Sequence, residues 1–439
     1  MKDWTVKSLQ EWDKKICESG RKFGLDWYPI DYEIINYHEM IGAMAYLGLP
    51  THYRHWSFGK LFEQTHTRYN LGMEGLPYEM IINSNPSIAY LMAENPLSTH
   101  LLTMSHCLGH SDFFKHNRMF INTDADNSLV RFKSAAKRIN KYMEDPSIGA
   151  EKVERILDAA HAIKYQIPRT PERKRRTHKE MLDFYKEVIR DDKTGKYKDF
   201  DIERIPLRPD YNLLAFITEH SRNLEEWEKD VISIVEYESH YFVPQAHTKI
   251  MNEGWAVFFH EKIMHDLNLP PKLHIPFLKL HNQVVRPHIG RVNPYHLGYK
   301  LFKKIEEEQG LEACFVAREV HDDVSFIRKH LDQKMCQELN LFSYSFKKTR
   351  KVNTIDEISD KEGWASVRNN LLKTVGLNSV PVVCVDNLDR KSHTLYLQHE
   401  HDGRDLDIPY ANKVLEYVAD LWGDEVKMYS TLEDEPWEF

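Results

Sequence analysis

Residues 94–114 read ENPLSTHLLTMSHCLGHSDFF, and they restrict the fold more than any other stretch. Asn95 can cap a helix and Pro96 suits its first turn. Leu101, Leu102, Met104 and Leu108 follow at spacings that leave little polar face, so the helix is expected to be largely buried. Yet it carries His106 and His110, which stand four apart and therefore share one face. Buried imidazoles need partners. Two neutral imidazoles at this spacing make a bidentate metal clamp. The chain has 24 histidines, so HxxxH also arises by chance, and two histidines bonded to ordinary neighbours would fit the same spacing.

At 439 residues, the chain is too long for one ordinary core, and two or three domains are expected. The formal net charge of -8 argues against nucleic acid as the main partner. Cys17, Cys107, Cys314, Cys336 and Cys384 are scattered, odd in number and form no CxxC pair. A disulfide framework is not expected, and a reducing cytoplasm fits. The first residues, MKDWTVKSLQEWDKK, are charged throughout and lack the apolar region of a secretory signal. No apolar run reaches the roughly 18 residues of a membrane span.

Helical spacing recurs over most of the first 332 residues. Trp4, Leu9, Trp12 and Ile16 mark one helix, and DYEIINYHEMIGAMAYLG reads as a second, stopped by Gly48 and Pro50. Residues 78–84, YEMIINS, read as a short strand. NLEEWEKDVISIVEYESHYF reads as a helix broken by Pro244, and TKIMNEGWAVFFHEKIMHDL as another. The stretch from about 166 to 208 reads as an exposed insertion, whose basic run at 169–179 is a solvated loop or an anionic docking patch. From about 333 to 439 the order β-α-β-β-α-β predicts a ferredoxin-like domain. The expected class is α+β, with a mainly helical domain (1–332) and this small C-terminal one (333–439).

The segment NEGWAVFFH puts Glu253 on a helix whose Gly254 and Ala256 allow another helix to approach closely. A carboxylate from a second helix is the third ligand that a His2Glu zinc site needs. A buried acid paired with histidine or arginine is the plainer reading. His260 lies two turns along, about 10 Å by helical rise. It is too far to share a metal shell with Glu253, but it could orient a substrate or donate a proton. His240, His247, His281 and His296 are better read as hydrogen-bonded histidines, with His281 a candidate for a pocket wall. Tyr241, Tyr295 and Arg286 are candidates to stabilise an oxyanion. No Walker loop, dinucleotide fingerprint or GxSxG occurs.

Taken together, HCLGHSDFFKHN, YFVPQAHTKIMNEGWAVFFH, VNPYHLGYKLF, DVSFIRKHL and YEMIINSNPSIAYLM resemble the stage V sporulation protein R (SpoVR) family. The likeness runs from about residue 5 to 430. It implies a role in forming the spore cortex, a peptidoglycan layer. It also implies partnership with a PrkA-like serine kinase and a von Willebrand factor A-like protein. HxxGH with EGWA is similar to bacterial zinc metallopeptidases that carry HExxPGH and EGWA. By that likeness His106, His110 and Glu253 are the ligands of zinc or another divalent transition metal.

The departure is Cys107, which stands where such enzymes have the glutamate that activates water. Glu238, Asp112 and Glu79 are the candidate replacements, with Glu238 preferred; His260 is a further catalytic candidate. Otherwise the metal supports chemistry needing no such base, or the site is structural. The expected function is zinc-dependent hydrolysis of an amide in a peptide or cell-wall material. The alternative is a non-catalytic scaffold or regulator acting with the kinase. The named ligands number three, so an open site is expected.

Overall fold

The apolar segment folds as the helix Leu97–His116, in which every residue from Leu97 to Phe114 is buried. Its start differs by one residue from the sequence expectation. Pro96 takes the cap position and offers no side-chain acceptor. The Leu97 N–H instead donates to Asp3 Oδ1 at 3.0 Å, so an acceptor distant in sequence serves one of the donors a helix start leaves open.

This computed structural model describes residues 3–73, 75–77, 79–171, 176–197, 200–288, 291–347 and 352–439. The chain forms two compact units. The first comprises 1–136 and 244–379, the second 137–243 and 380–439.

In the first unit, helix Lys249–Asp266 packs on Leu97–His116, and Pro294–Gln309 packs on Lys249–Asp266. Small residues set both crossings. A Cβ at Gly109 would stand 2.7 Å from Ala256 Cα, and one at Gly254 would stand 2.3 Å from the Gly298 carbonyl carbon. Neither crossing has room for a methyl group. Trp255, Phe258, Phe259, Phe302 and Phe326 fill the core around them. Asp323 fixes the start of the middle helix, its two oxygens accepting the N–H groups of Ile250 and Met251 at 2.8 Å each.

A three-stranded sheet lies beside these helices. Its central strand Ser87–Met92 pairs parallel with Ile30–Ile35 and antiparallel with the edge strand Glu79–Ile82. The expected single helix over DYEIINYHEMIGAMAYLG is therefore a strand followed by the helix Tyr37–Ala45. The reason is a capping box. Asn36 accepts from the His38 and Glu39 N–H groups, while Glu39 reaches back to the Asn36 N–H, so the helix can begin only there. Pro244, expected to break a helix, lies inside Glu226–His247.

The ferredoxin-like expectation is corrected. Phe342–Lys347 pairs with Val352–Ile358 in a separate two-stranded ladder of the first unit. The C-terminal sheet belongs to the second unit and runs in sequence order: Val383–Leu388, Leu395–His399, Val426–Leu432, Glu435–Glu438. Its pairings are antiparallel, parallel and antiparallel. The last strand exists because Glu433 and Asp434 both adopt positive φ, 49° and 64°, the geometry of a two-residue hairpin turn. The result is a mainly helical α+β protein with a small mixed sheet.

Elsewhere in the second unit, helix Ile408–Trp422 packs on Ala150–Ala162. Within 166–208, helix His178–Arg190 starts at a Thr177–Glu180 capping box, and its Tyr185 is buried and stacked on Phe200. Residues 172–175 of the basic run, like Tyr78 of the expected strand, lie outside the described residues. Among the described residues no helix is long and apolar enough to cross a membrane.

Candidate metal centre

Four side chains from three elements of the first unit converge. His106 and His110 come from the buried helix, Glu253 from the helix packed on it, and Glu79 from the sheet edge. One ligand atom from each lies within 4.8 Å of all the others. His106 Nε2 stands 3.2 Å from Glu79 Oε1 and 3.6 Å from Glu253 Oε2, and His110 Nε2 stands 3.4 Å from Glu253 Oε2. His106 Nε2 and Glu253 Oε2 are buried yet have no hydrogen-bond partner. Orphaned polar atoms of this kind are costly, and a cation between them would satisfy both. Two imidazoles and two carboxylates suit a divalent transition ion.

The far sides of both rings are held. His110 Nδ1 lies 2.8 Å from Asn252 Oδ1. The amide oxygen only accepts, so Nδ1 carries the proton and the Nε2 lone pair faces the group. His106 Nδ1 lies 2.9 Å from His260 Nδ1, and His260 Nε2 lies 2.9 Å from His281 Nδ1. With the His106 Nε2 lone pair facing the group, each ring donates to the next along this line. His281 Nε2 ends it, 3.8 Å from Glu261 Oε1, whose other oxygen pairs with Lys303 at 3.2 Å.

The electrostatics divide the two carboxylates. Burial pushes Glu253 up, but the His106 and His110 imidazoles beside it outweigh burial and hold the group well below the usual carboxylate range. Glu79 goes the other way: burial raises it, and the nearby histidines only partly compensate. Burial lowers His110, but the neighbouring Glu253 carboxylate lifts it above its ordinary value. The charge of nearby Glu253, with burial, keeps the Tyr295 phenol protonated. A cavity of about 550 Å³, lined by Glu79, His106, His260 and Tyr295 among others, opens beside the group.

The structure thus brings together His106, His110, Glu253 and Glu79. His260 touches His106 from behind and is not one of the four. Asp112 faces elsewhere: its oxygens take Arg318 Nη1 at 2.6 Å, Trp255 Nε1 at 2.9 Å and the Asp26 N–H at 2.9 Å. Glu238 is buried in the second unit and does not belong to the group. Cys107 is fully buried, and burial holds its thiol protonated, far above the usual range. Asn252 went unread in the sequence, although it sits beside the glutamate in the NEGWA motif. The only signal for Glu79 was its place in a family-like motif.

Residues 3–380 match the family described as "SpoVR like protein", and residues 381–433 match "SpoVR-like C-terminal domain". The chain belongs to the SpoVR family. A curated relative is the "Uncharacterized protein YcgB" of Escherichia coli (strain K12), 31% identical over 98% of this chain and 93% of its own. No solved structure matches. The four converging residues all lie within the SpoVR match, while the first three of the mixed sheet's four strands lie in the C-terminal one.

Proposed function

We propose that this SpoVR protein is a metal-dependent amide hydrolase acting on a peptide or on cell-wall material. The observation that carries the reading is the pair of orphaned atoms, His106 Nε2 and Glu253 Oε2, beside a cavity. His106, His110 and Glu253 would hold zinc or another divalent transition metal. Such an ion supplies Lewis acidity toward a carbonyl and lowers the pKa of water. Glu79 takes the proton-transfer part left vacant by Cys107, in preference to Glu238 or Asp112. Its carboxyl lies among the ligands, and its raised pKa suits a group that must accept and return a proton. Tyr295 is placed to donate to a developing oxyanion. A metallopeptidase-like arrangement and a part in making spore cortex are consistent with this chemistry.

One observation favours a second reading. If Glu79 ligates, the ion has four protein donors, the usual complement of a structural site. The protein would then be a scaffold or regulator, working with a PrkA-like kinase and a von Willebrand factor A-like protein. Glu79→Gln separates the two. Under hydrolysis, the variant keeps its metal and loses cleavage of peptide or peptidoglycan-fragment pools. A wild-type protein inert toward both pools, with metal affinity that collapses in Glu79→Gln, would rule out hydrolysis.

A further inference from the structure

Two cavities of the first unit adjoin. The one of about 550 Å³ reaches Glu79 and His106. The other, about 710 Å³, has Ile250, Leu341, Val367 and Leu371 in its walls. They share His288, Arg291 and the run Val292–Pro294, so Arg291 stands on the wall between them. It is exposed and forms no ion pair among the described residues. Arg286 is exposed and likewise unpaired among the described residues. It lies close enough to His288 that, after burial and Arg291, it helps hold that imidazole below its ordinary range.

Lys249 lines the larger cavity and is exposed. Its ion-pair contact is Glu253 at 3.9 Å, at the far edge of such contacts. Asp323 is the one carboxylate among the described residues lining that cavity, and the Ile250 and Met251 N–H groups already engage both its oxygens. An apolar trough is thus edged by Arg291, which forms no ion pair among the described residues, and by Lys249, whose contact with Glu253 is long. Uncompensated positive charge on the wall of a low-dielectric cleft attracts and concentrates anions. The apolar floor selects an anion that also carries hydrophobic groups.

We infer that the chain bound at this site is an acidic peptide segment. One carboxylate pairs with Arg291 on the shared wall, and a neighbouring apolar side chain enters the larger cavity. The assignment deepens the hydrolase reading, which decides only which bond lies at His106 and Glu253; the docking itself does not depend on it. A guanidinium holds a carboxylate through charge-assisted, often bidentate bonds. A neutral amide in its place forgoes the charge.

The test is fluorescence anisotropy on the full-length protein. One labelled peptide alternates glutamate with leucine; its twin has glutamine in place of each glutamate. The acidic peptide should bind about tenfold tighter or better, and the gap should close in Arg291→Glu. That residue is exposed, so the fold should survive, which circular dichroism checks. The preference should persist in His106→Ala, so failure of the metal reading leaves this one standing. Equal affinity for the twins, no binding of either, or a preference that survives Arg291→Glu would overturn the inference.

Discussion

Asn252 illustrates how much one atom decides at the residue scale. Its amide oxygen fixes the His110 tautomer, and nothing else described at the centre makes that contact. Asn252→Ala should keep the fold and lower metal affinity about 10- to 100-fold, read by competition with a chelator of known affinity. Unchanged affinity would mean that His110 is not a ligand. The two histidines and Glu253 were legible in sequence because helical spacing and a short motif mark them. Glu79 was harder to read. It reaches the group through strand pairing with Ser87–Met92, a tertiary relation that no local periodicity records. His260 was read as too distant from Glu253 to share a shell. His106, projecting from another helix, nevertheless brings its Nδ1 to 2.9 Å from His260 Nδ1.

At the scale of elements, the close helix crossings hold the ligands in register. Glu253 adjoins Gly254, and His110 adjoins Gly109, so the contacts that set the helix spacing also set the ligand spacing. Gly254→Ala would drive a methyl into the Gly298 backbone. The expected cost is about 1–3 kcal/mol or more, seen as a lower urea midpoint together with weaker metal binding. A fully stable, metal-competent Gly254→Ala protein would show that the crossing is slack. The small residues of NEGWA announced this packing in advance, because close approach has a local signature. The C-terminal topology had none. Alternating apolar residues located several of its strands, but pairing partners depend on turn geometry. The two positive-φ residues Glu433 and Asp434 carry no glycine to advertise them, so the last strand stayed hidden. Asn36 shows the reverse case: its capping box was written in the sequence but masked by the apolar run around it.

Across the whole molecule, the chain passes between its two units three times, after residues 136, 243 and 379, an arrangement that reading along the chain does not reveal. Global stability should also carry an acid-sensitive part from His330, in the first unit. Burial, then the charges of His321, Lys329 and Lys304, lowers its pKa from 6.5 to about 4, and its Nε2 is buried without a partner. The unfolded chain takes up this proton below pH 6.5, whereas the folded one resists until about pH 4. Stability therefore falls as pH drops through that window, by roughly 2–3 kcal/mol for this group. His330→Leu should flatten that part of the decline in urea midpoints between pH 7 and pH 4; an unaltered slope would refute it. The account as a whole rests on a cation held by His106, His110 and Glu253 beside Glu79, so the deciding measurement is elemental analysis of the purified protein beside His106→Ala. The account predicts about one divalent transition ion per chain in the wild type, the complement of a single site, and its loss from a variant that stays folded. A wild-type protein that is metal-free and binds none on titration, or a His106→Ala variant that keeps its full complement, would contradict it.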